Sequence, residues 1–546
     1  MPATKTLALV SLVALWAVCA GAAPRPERPI TAERMRAHVT FLASDLLEGR
    51  DSGSRGFDIA AEYVASQFRQ LGLTPAGDGG TYFQAVPLLA FRPAGEGALV
   101  LRGPGDAAQP LAFGEDFLPG HLPSAGVTRV AAPLVFVGFG VVAPETGRDD
   151  YRDLDVRGKI VVAIAGAPGL MQPDERAYYA STRIKRTLAA RRGAVGFISL
   201  YTPIAEQRRP FADGRRTWDS WAMTWRGPDG AGFDPAPAAP ALATLSVKGA
   251  AKLFAGAPAS FAQVMAAAED AAGDPPRFGL PLSLDARIES ETRLLESRNV
   301  AAILPGTDSK RKAEAVVLTA HLDHLGITRP INGDSINNGA LDNASGVATA
   351  LEVARTFVES GRPGRRSILF LMLTGEEKGL VGAEYFARRP SGPTERIVSE
   401  VNIDMPVLTY DFTNVVAFGA ERSSIGPAAA RAAARVGVKL SADPLPEEGF
   451  FTRSDHYRFV EAGVPSVFLM TGFANGGEAA FTSFLANCYH KPCDDLSLPI
   501  DWNAGARFVR INYELTRELA EARKRPTWNK GDFFARKYAA GLQRQP

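Results

Sequence analysis

The alternation of apolar and polar positions divides the chain into stretches of different texture. Between residues 30 and 73, apolar side chains recur at helical spacing. Ala60, Val64, Phe68 and Leu71 fall on one face, and Gly72 follows where a helix takes a left-handed stop. Residues 74–114 are mixed and rich in turn formers. From about Val127 the pattern becomes short apolar runs punctuated by glycine and proline, such as 133–140, 158–164 and 193–199, which predict a compact β-rich unit with some helix. From Asn299 onward, uninterrupted apolar runs of strand length (300–304, 315–320, 367–373, 401–404, 464–470) alternate with helical stretches. A strand with no polar face must be covered on both sides. This half is therefore expected to be α/β, a mixed and mostly parallel sheet covered by helices. The alanine-rich run 428–434 reads as helix, and no internal repeat is present.

Length and composition refine this picture. At 546 residues the chain exceeds a single ordinary core, so two or three domains are expected. Lys and Arg number 61 against 59 Asp and Glu, giving a net charge of +2 with no long run of one sign. That excludes nucleic acid or an anionic membrane as the main partner, since both need a concentrated basic face. Lys5, the apolar run 7–18 and Ala20-Gly21-Ala22 read as an export signal over residues 1–23, with Cys19 as a candidate lipid anchor. The run is too short for a membrane span, so the mature chain is expected in the periplasm or outside the cell with no integral membrane segment. Of three cysteines, Cys488 and Cys493 lie beyond the signal. Four residues separate them, and an oxidising compartment favours a local disulfide. The expected division is 24–126 and 274–546 for one domain, with 127–273 inserted in it.

Residues able to do chemistry gather at the ends of the expected strands. Ala320-His-Leu-Asp-His324 ends one strand, Thr374-Gly-Glu-Glu-Lys-Gly379 follows another, and Asn402-Ile-Asp-Met405 ends a third. Gly339-Ala-Leu-Asp-Asn-Ala-Ser-Gly346 opens a helix whose Val347, Leu351, Ala354 and Val358 share a face, and Cys488-Tyr-His-Lys-Pro-Cys493 comes late in the chain. Ligand sites form where several loops converge at the strand ends of an open α/β sheet. Each element alone has a plain structural reading. An HxD can be structural, a Glu-Glu pair a solvated turn, NASG a helix cap, Asp404 a cap on a neighbouring helix, and His490 a surface histidine. Together, His321, Asp342, Glu376, Glu377, Asp404 and His490 supply two imidazoles and four carboxylates. That set can hold two zinc ions and leave one carboxylate free as a base. The stretch 127–273 contains no histidine or cysteine and is expected to carry no metal ligand.

These elements resemble the co-catalytic di-zinc aminopeptidases of the aminopeptidase Y and glutamate carboxypeptidase II type. The resemblance covers roughly residues 30–73 and 299–519, and rests on Asn-Ala-Ser-Gly, Gly-Glu-Glu-Xaa-Gly-Leu, Ser454-Asp-His456 and Gly463-Val-Pro-Ser466. Residues 153–161 and 193–196 resemble a protease-associated domain in the position that family inserts one. The resemblance implies a zinc-exopeptidase fold, two zinc ions, peptide substrates and hydrolysis of N-terminal residues. It implies His321 and Asp404 as ligands of one zinc, Glu377 and His490 of the other, Asp342 as the bridge and Glu376 as general base. It makes Asp323 the partner that fixes the His321 tautomer, with Asp455 and Asp494 as candidates for similar tasks, and Tyr489 the donor that steadies the oxyanion. It also implies a cis peptide between Asp342 and Asn343. His324 is expected behind the ligands or at the surface, and His456 is not an expected ligand. Met405-Pro406 departs from the commoner glycine-containing sequence, so the backbone beside Asp404 is expected to differ. Trp218, Trp221 and Trp225 either line a substrate entrance or anchor a long loop. A single-zinc glutaminyl cyclase and a receptor that has lost its ligands are the alternatives, and a complete set of five ligands argues against both.

Overall fold

Six strands form the sheet at whose edge the candidate residues lie in the computed structural model, which describes residues 29–270, 273–392 and 396–539. They are β1 (Phe278–Leu304), β2 (Glu314–His321), β3 (Ser367–Leu373), β4 (Arg396–Ile403), β5 (Asn414–Phe418) and β6 (Ser466–Thr471). Their order is β1-β3-β2-β4-β6-β5. The four central strands are parallel, while β1 and β5 run antiparallel to their neighbours. This is the expected mixed, mostly parallel sheet. The export signal and Cys19 lie outside the described residues.

The absence of a polar face in these strands follows from the layers above and below. Val316, Leu318 and Ala320 of β2 join one core with the helices α1 (Ala32–Leu42), α2 (Arg55–Gln70), α3 (Ser345–Ser360) and α4 (Trp502–Glu521). The alternate residues Ala315 and Val317 join a second core with Ala383, Phe386 and Phe459, from the helices Val381–Arg388 and His456–Glu461. The helical N-terminal stretch is made of two helices, α1 and α2. Ala60, Val64 and Phe68 are buried along α2, Ser54 Oγ caps it by accepting from the Phe57 amide at 3.2 Å, and Gly72 takes a φ of +71° beyond its end. The break between α1 and α2 contains Glu48, Gly49 and Arg50 at positive φ, a turn that apolar spacing does not reveal.

The apolar reading starts a strand near Asn299, whereas β1 begins at Phe278 and runs for 27 residues. Its first part lies between the strands Gly126–Phe136 and Ala98–Arg102, its middle pairs with Phe83–Pro93, and its end pairs with β3. One strand thus joins the two halves of the chain into a continuous sheet. Within the stretch 127–273, the strands Ile160–Ile164, Gly196–Leu200 and Ala241–Leu245 follow Gly126–Phe136 as parallel neighbours. The tryptophans anchor this region. Trp225 stacks on Phe233 at 4.5 Å, Trp221 lies between the guanidinium groups of Arg92 and Arg293, and Trp218 meets Phe113 edge-on. Among the described residues, no helix is long and apolar enough to cross a membrane.

Candidate metal centre

Because the central strands are parallel, their C-terminal ends open at one edge, and the sequence places its reactive residues there. His321 is the last residue of β2, Glu376 and Glu377 follow β3, and Asp404 follows β4. Asp342 arrives from the turn Ala340–Ala344 that leads into α3, and His490 from the loop after the helix Gly477–Asn487. The peptide between Asp342 and Asn343 is cis, as the resemblance implies. Asn343 ties this turn to β4: its side-chain amide donates to the Ile403 carbonyl at 2.9 Å. Its oxygen accepts from the amides of Gly346 and Met405 at 3.1 and 3.2 Å. A Cβ on residue 346 would lie 2.1 Å from that oxygen, so the last position of Asn-Ala-Ser-Gly must be glycine. Met405 adopts the left-handed conformation, φ +42°, so the turn beside Asp404 uses a glycine-like backbone without a glycine.

The two oxygens of Asp342 face different partners. Oδ1 lies 3.2 Å from His321 Nε2, which is itself 3.1 Å from Asp404 Oδ1. Oδ2 lies 3.3 Å from His490 Nε2, which is itself 3.2 Å from Glu377 Oε2. The donors therefore form two groups of three that share one carboxylate. Ligand atoms of His321, Asp342 and Glu377 all lie within 4.8 Å of one another. Two imidazole nitrogens and a majority of carboxylate oxygens suit zinc. None of these donors comes from the stretch 127–273.

The electrostatics show what such a cluster costs without cations. Burial and the neighbouring Asp342 carboxylate push Glu377 up to about 8. Burial, reinforced by the carboxylates of Asp404, Glu377 and Asp455, holds Glu376 well above the ordinary range, against the opposing pull of His321. Burial opposes charge on His490, but the Asp342 and Glu377 carboxylates outweigh it and raise its pKa. Crowded, desolvated carboxylates of this kind are stabilised in their charged form by cations.

A further layer of contacts holds the donors in place. His321 Nδ1 meets the main-chain carbonyl of Asp323 at 3.0 Å, so the tautomer is fixed by that carbonyl rather than by the Asp323 side chain. The Asp323 carboxylate instead accepts from the amides of Glu376 and Glu377 at 3.2 and 3.4 Å, and orients that turn. Asp494 accepts from the amides of Leu341 and Asp342 at 2.9 and 3.0 Å. Ser454 donates to Asp404 Oδ2 at 2.6 Å. Asp455 is buried with neither oxygen hydrogen-bonded, and burial holds its carboxyl well above the usual range. His456 lies between the rings of Phe451 and Phe468, away from the donor set.

Two contributors escape the apolar pattern. His324 is fully buried, with Nδ1 2.7 Å from Glu377 Oε1. Burial lowers its pKa to about 4, so it is a neutral imidazole beside Glu377. Gly339, at φ +59°, leaves room for its ring, since a Cβ there would come within 2.7 Å of it. Arg50 is buried, and its guanidinium donates to the carbonyls of Leu42, Leu322, Asn338 and Gly339. It thereby pins the loops that carry His321 and Asp342. Its only sequence signal is an isolated arginine after Gly49. Cys488 and Cys493 form the expected disulfide around Tyr489 and His490, whose rings stack at 3.8 Å. The donors open into a cavity of about 70 Å³, walled by Met405, Phe450, Phe468, Met470 and Tyr489, with Arg453 beside them.

The sequence pattern of Peptidase family M28 matches residues 299–516. A probable zinc metalloprotease of Pyrenophora tritici-repentis is 32% identical over 114 residues, 21% of this chain and 26% of that protein. One from Pyricularia oryzae is 35% identical over 107 residues, 20% of each chain. The chain thus matches only about a quarter or less of the length of these curated relatives. Among solved structures, the aminopeptidase from Aneurinibacillus sp. strain AM-1 aligns over 91% of this chain and 95% of its own, with a TM-score of 0.51 and 20% identity, a likeness of fold.

Proposed function

We propose, from the premise that residues 299–516 are a domain of Peptidase family M28, that the chain is a zinc-dependent exopeptidase removing N-terminal residues from peptides. The observation that carries this reading is the divided donor set, in which each oxygen of Asp342 faces its own histidine and its own second carboxylate. His321 and Asp404 would hold one zinc, Glu377 and His490 the other, with Asp342 between them. When bound, the zinc pair supplies an acidified water and Lewis-acid polarisation of the peptide carbonyl.

The chain's own groups do the rest. Glu376 sits beside Glu377 but outside both groups of three, which leaves its carboxylate to take the proton of the attacking water and pass it to the leaving amine. Tyr489, held on the His490 ring, donates a hydrogen bond to the oxygen that gains charge. The Asp323 carbonyl keeps Nε2 of His321 free of its proton and turned to the metal. Phe450, Phe468 and Met470, which wall the cavity beside the donors, would receive the side chain next to the reacting carbonyl. Residues 1–23 would direct export, and residues 127–273 would form a protease-associated insert.

The test is a panel of aminoacyl anilides, dipeptides and N-acetylated peptides, assayed with zinc and with a chelator. Cleavage of the free-amine substrates alone, abolished by chelation, is the expected result. Cyclisation of N-terminal glutamine without peptide cleavage would favour the acyltransferase reading, and inertness throughout would favour a binding protein.

A further inference from the structure

The last described segment of the chain reaches the candidate site through an unbroken line of rings. Beyond α4, Asn529 donates its amide to the Arg422 carbonyl at 2.8 Å, and the Arg422 guanidinium contacts Asp532 at 3.3 Å and Asp174 at 3.1 Å. That guanidinium also lies over the rings of Phe451 and Phe534, at 5.1 and 4.9 Å. Phe533 and Phe534 are buried. On one side they meet Tyr178, in the helix Pro173–Ala180 of the 127–273 stretch, at 5.3 and 6.3 Å. On the other side Phe534 packs edge-on against Phe451 at 5.1 Å. Phe451 meets His456 at 5.3 Å, and His456 meets Phe468 at 5.6 Å. Phe468 walls the cavity, and so does Phe450, the neighbour of Phe451.

We infer that the segment around Phe534 is a strap that fixes the substrate-side wall of the cavity against the 127–273 stretch, with Phe534 as its positioning residue. The cavity wall 450–454 is built from one short turn and a loop, Phe450–Thr452 and the residues after it. Such a turn has few hydrogen bonds of its own to resist displacement, so its place is set by what packs behind it. Phe534 packs on Phe451 with Tyr178 behind it, and the helix Pro173–Ala180 also meets the turn directly, with Ala177 beside Gly449 and Arg176 on Glu447. The strap touches none of the proposed ligands. It acts on the space offered to the substrate side chain rather than on the base, and Ser454, which ends the wall and donates to Asp404, is held independently by the Asn402 side-chain amide. Lys537 adds a polar tie, 2.8 Å from the Tyr179 hydroxyl, that holds the same segment to the insert helix.

This inference rests on the proposed exopeptidase reading for its kinetic consequence but not for its structural one. The experiment therefore has two readouts on the wild type, Phe534→Ala and the conservative Phe534→Leu. Hydrogen exchange should be faster in Phe534→Ala across 450–457 and 173–180, with the β2 peptide 314–321 unchanged and Phe534→Leu close to wild type. On aminoacyl anilides, KM should rise about 3- to 10-fold in Phe534→Ala while kcat changes little. The increase should differ between small and large N-terminal side chains, with zinc content unchanged. Exchange at 450–457 equal to wild type would overturn the strap, whether or not the chain cleaves any substrate. So would an equal fall in kcat for every substrate with KM constant. If Phe534→Ala fails to fold, Tyr178→Ala breaks the same line from the other end and is read in the same two ways. If the wild type cleaves nothing, the exopeptidase reading fails while the exchange result still decides the strap.

Discussion

Glu376 and Glu377 are adjacent and chemically identical, yet their surroundings suit them to different work. Glu377 lies against His490 and His324, whereas Glu376 stands apart from both donor groups and takes its raised pKa from burial and the carboxylates around it. Glu376→Gln keeps size and polarity but accepts no proton, so turnover should fall roughly 100- to 10,000-fold with zinc content unchanged. Glu377→Gln removes a charged ligand, so zinc should bind more weakly and excess zinc should restore part of the activity. Loss of zinc from Glu376→Gln with retention in Glu377→Gln would reverse the two roles. At this scale the sequence is most informative where chemistry coincides with a strand end, as for His321, Glu377 and Asp404. It is least informative where a contact is made by irregular backbone. Arg50 reaches its four carbonyls from a turn at positive φ, and no periodicity marks such a turn. Asp323 was legible as a partner of His321, but which of its oxygens serves depends on backbone direction beyond the strand, which spacing does not encode.

The loop from Cys488 to Cys493 illustrates how an element can hold a site without touching the substrate. His490 takes a left-handed backbone, φ +57°, and Asp494 immediately follows the second cysteine while receiving the amides of Leu341 and Asp342. One short covalent loop therefore places a proposed ligand of one zinc and the support behind Asp342. Closing so short a loop is worth about 2 kcal/mol in the chain-entropy account. Replacing both cysteines by serine should weaken the His490–Glu377 site about 10- to 100-fold, the range for lost support behind a ligand. The His321–Asp404 site should change less. Zinc titration of the double variant reads this directly, and two unchanged affinities would show that the disulfide positions nothing. The element that the apolar pattern missed is the first part of β1. There Asp285, Arg287, Glu289, Glu291 and Arg293 alternate with Ala286, Ile288 and Ser290, which are buried. That is a period-two signal of a strand with one solvated face, hidden by its high charge.

Across the whole molecule, the parallel strands decide where chemistry can occur, and the α/β character of residues 299 onward was legible because those strands lack a polar face. The joining of the two halves was not. It depends on one 27-residue strand pairing in turn with five others, and pairing partners far apart in sequence leave no local pattern. At the edge where these strands end, the proposal is that Asp342 serves two metal sites at once. Zinc bound per chain at saturation, measured on the wild type and on Asp342→Asn, decides this. Two zinc ions are expected in the wild type and weakened binding of both in Asp342→Asn, because one carboxylate completes both groups. A single zinc at saturation, or an Asp342→Asn variant that still binds two with unchanged affinity, would contradict it.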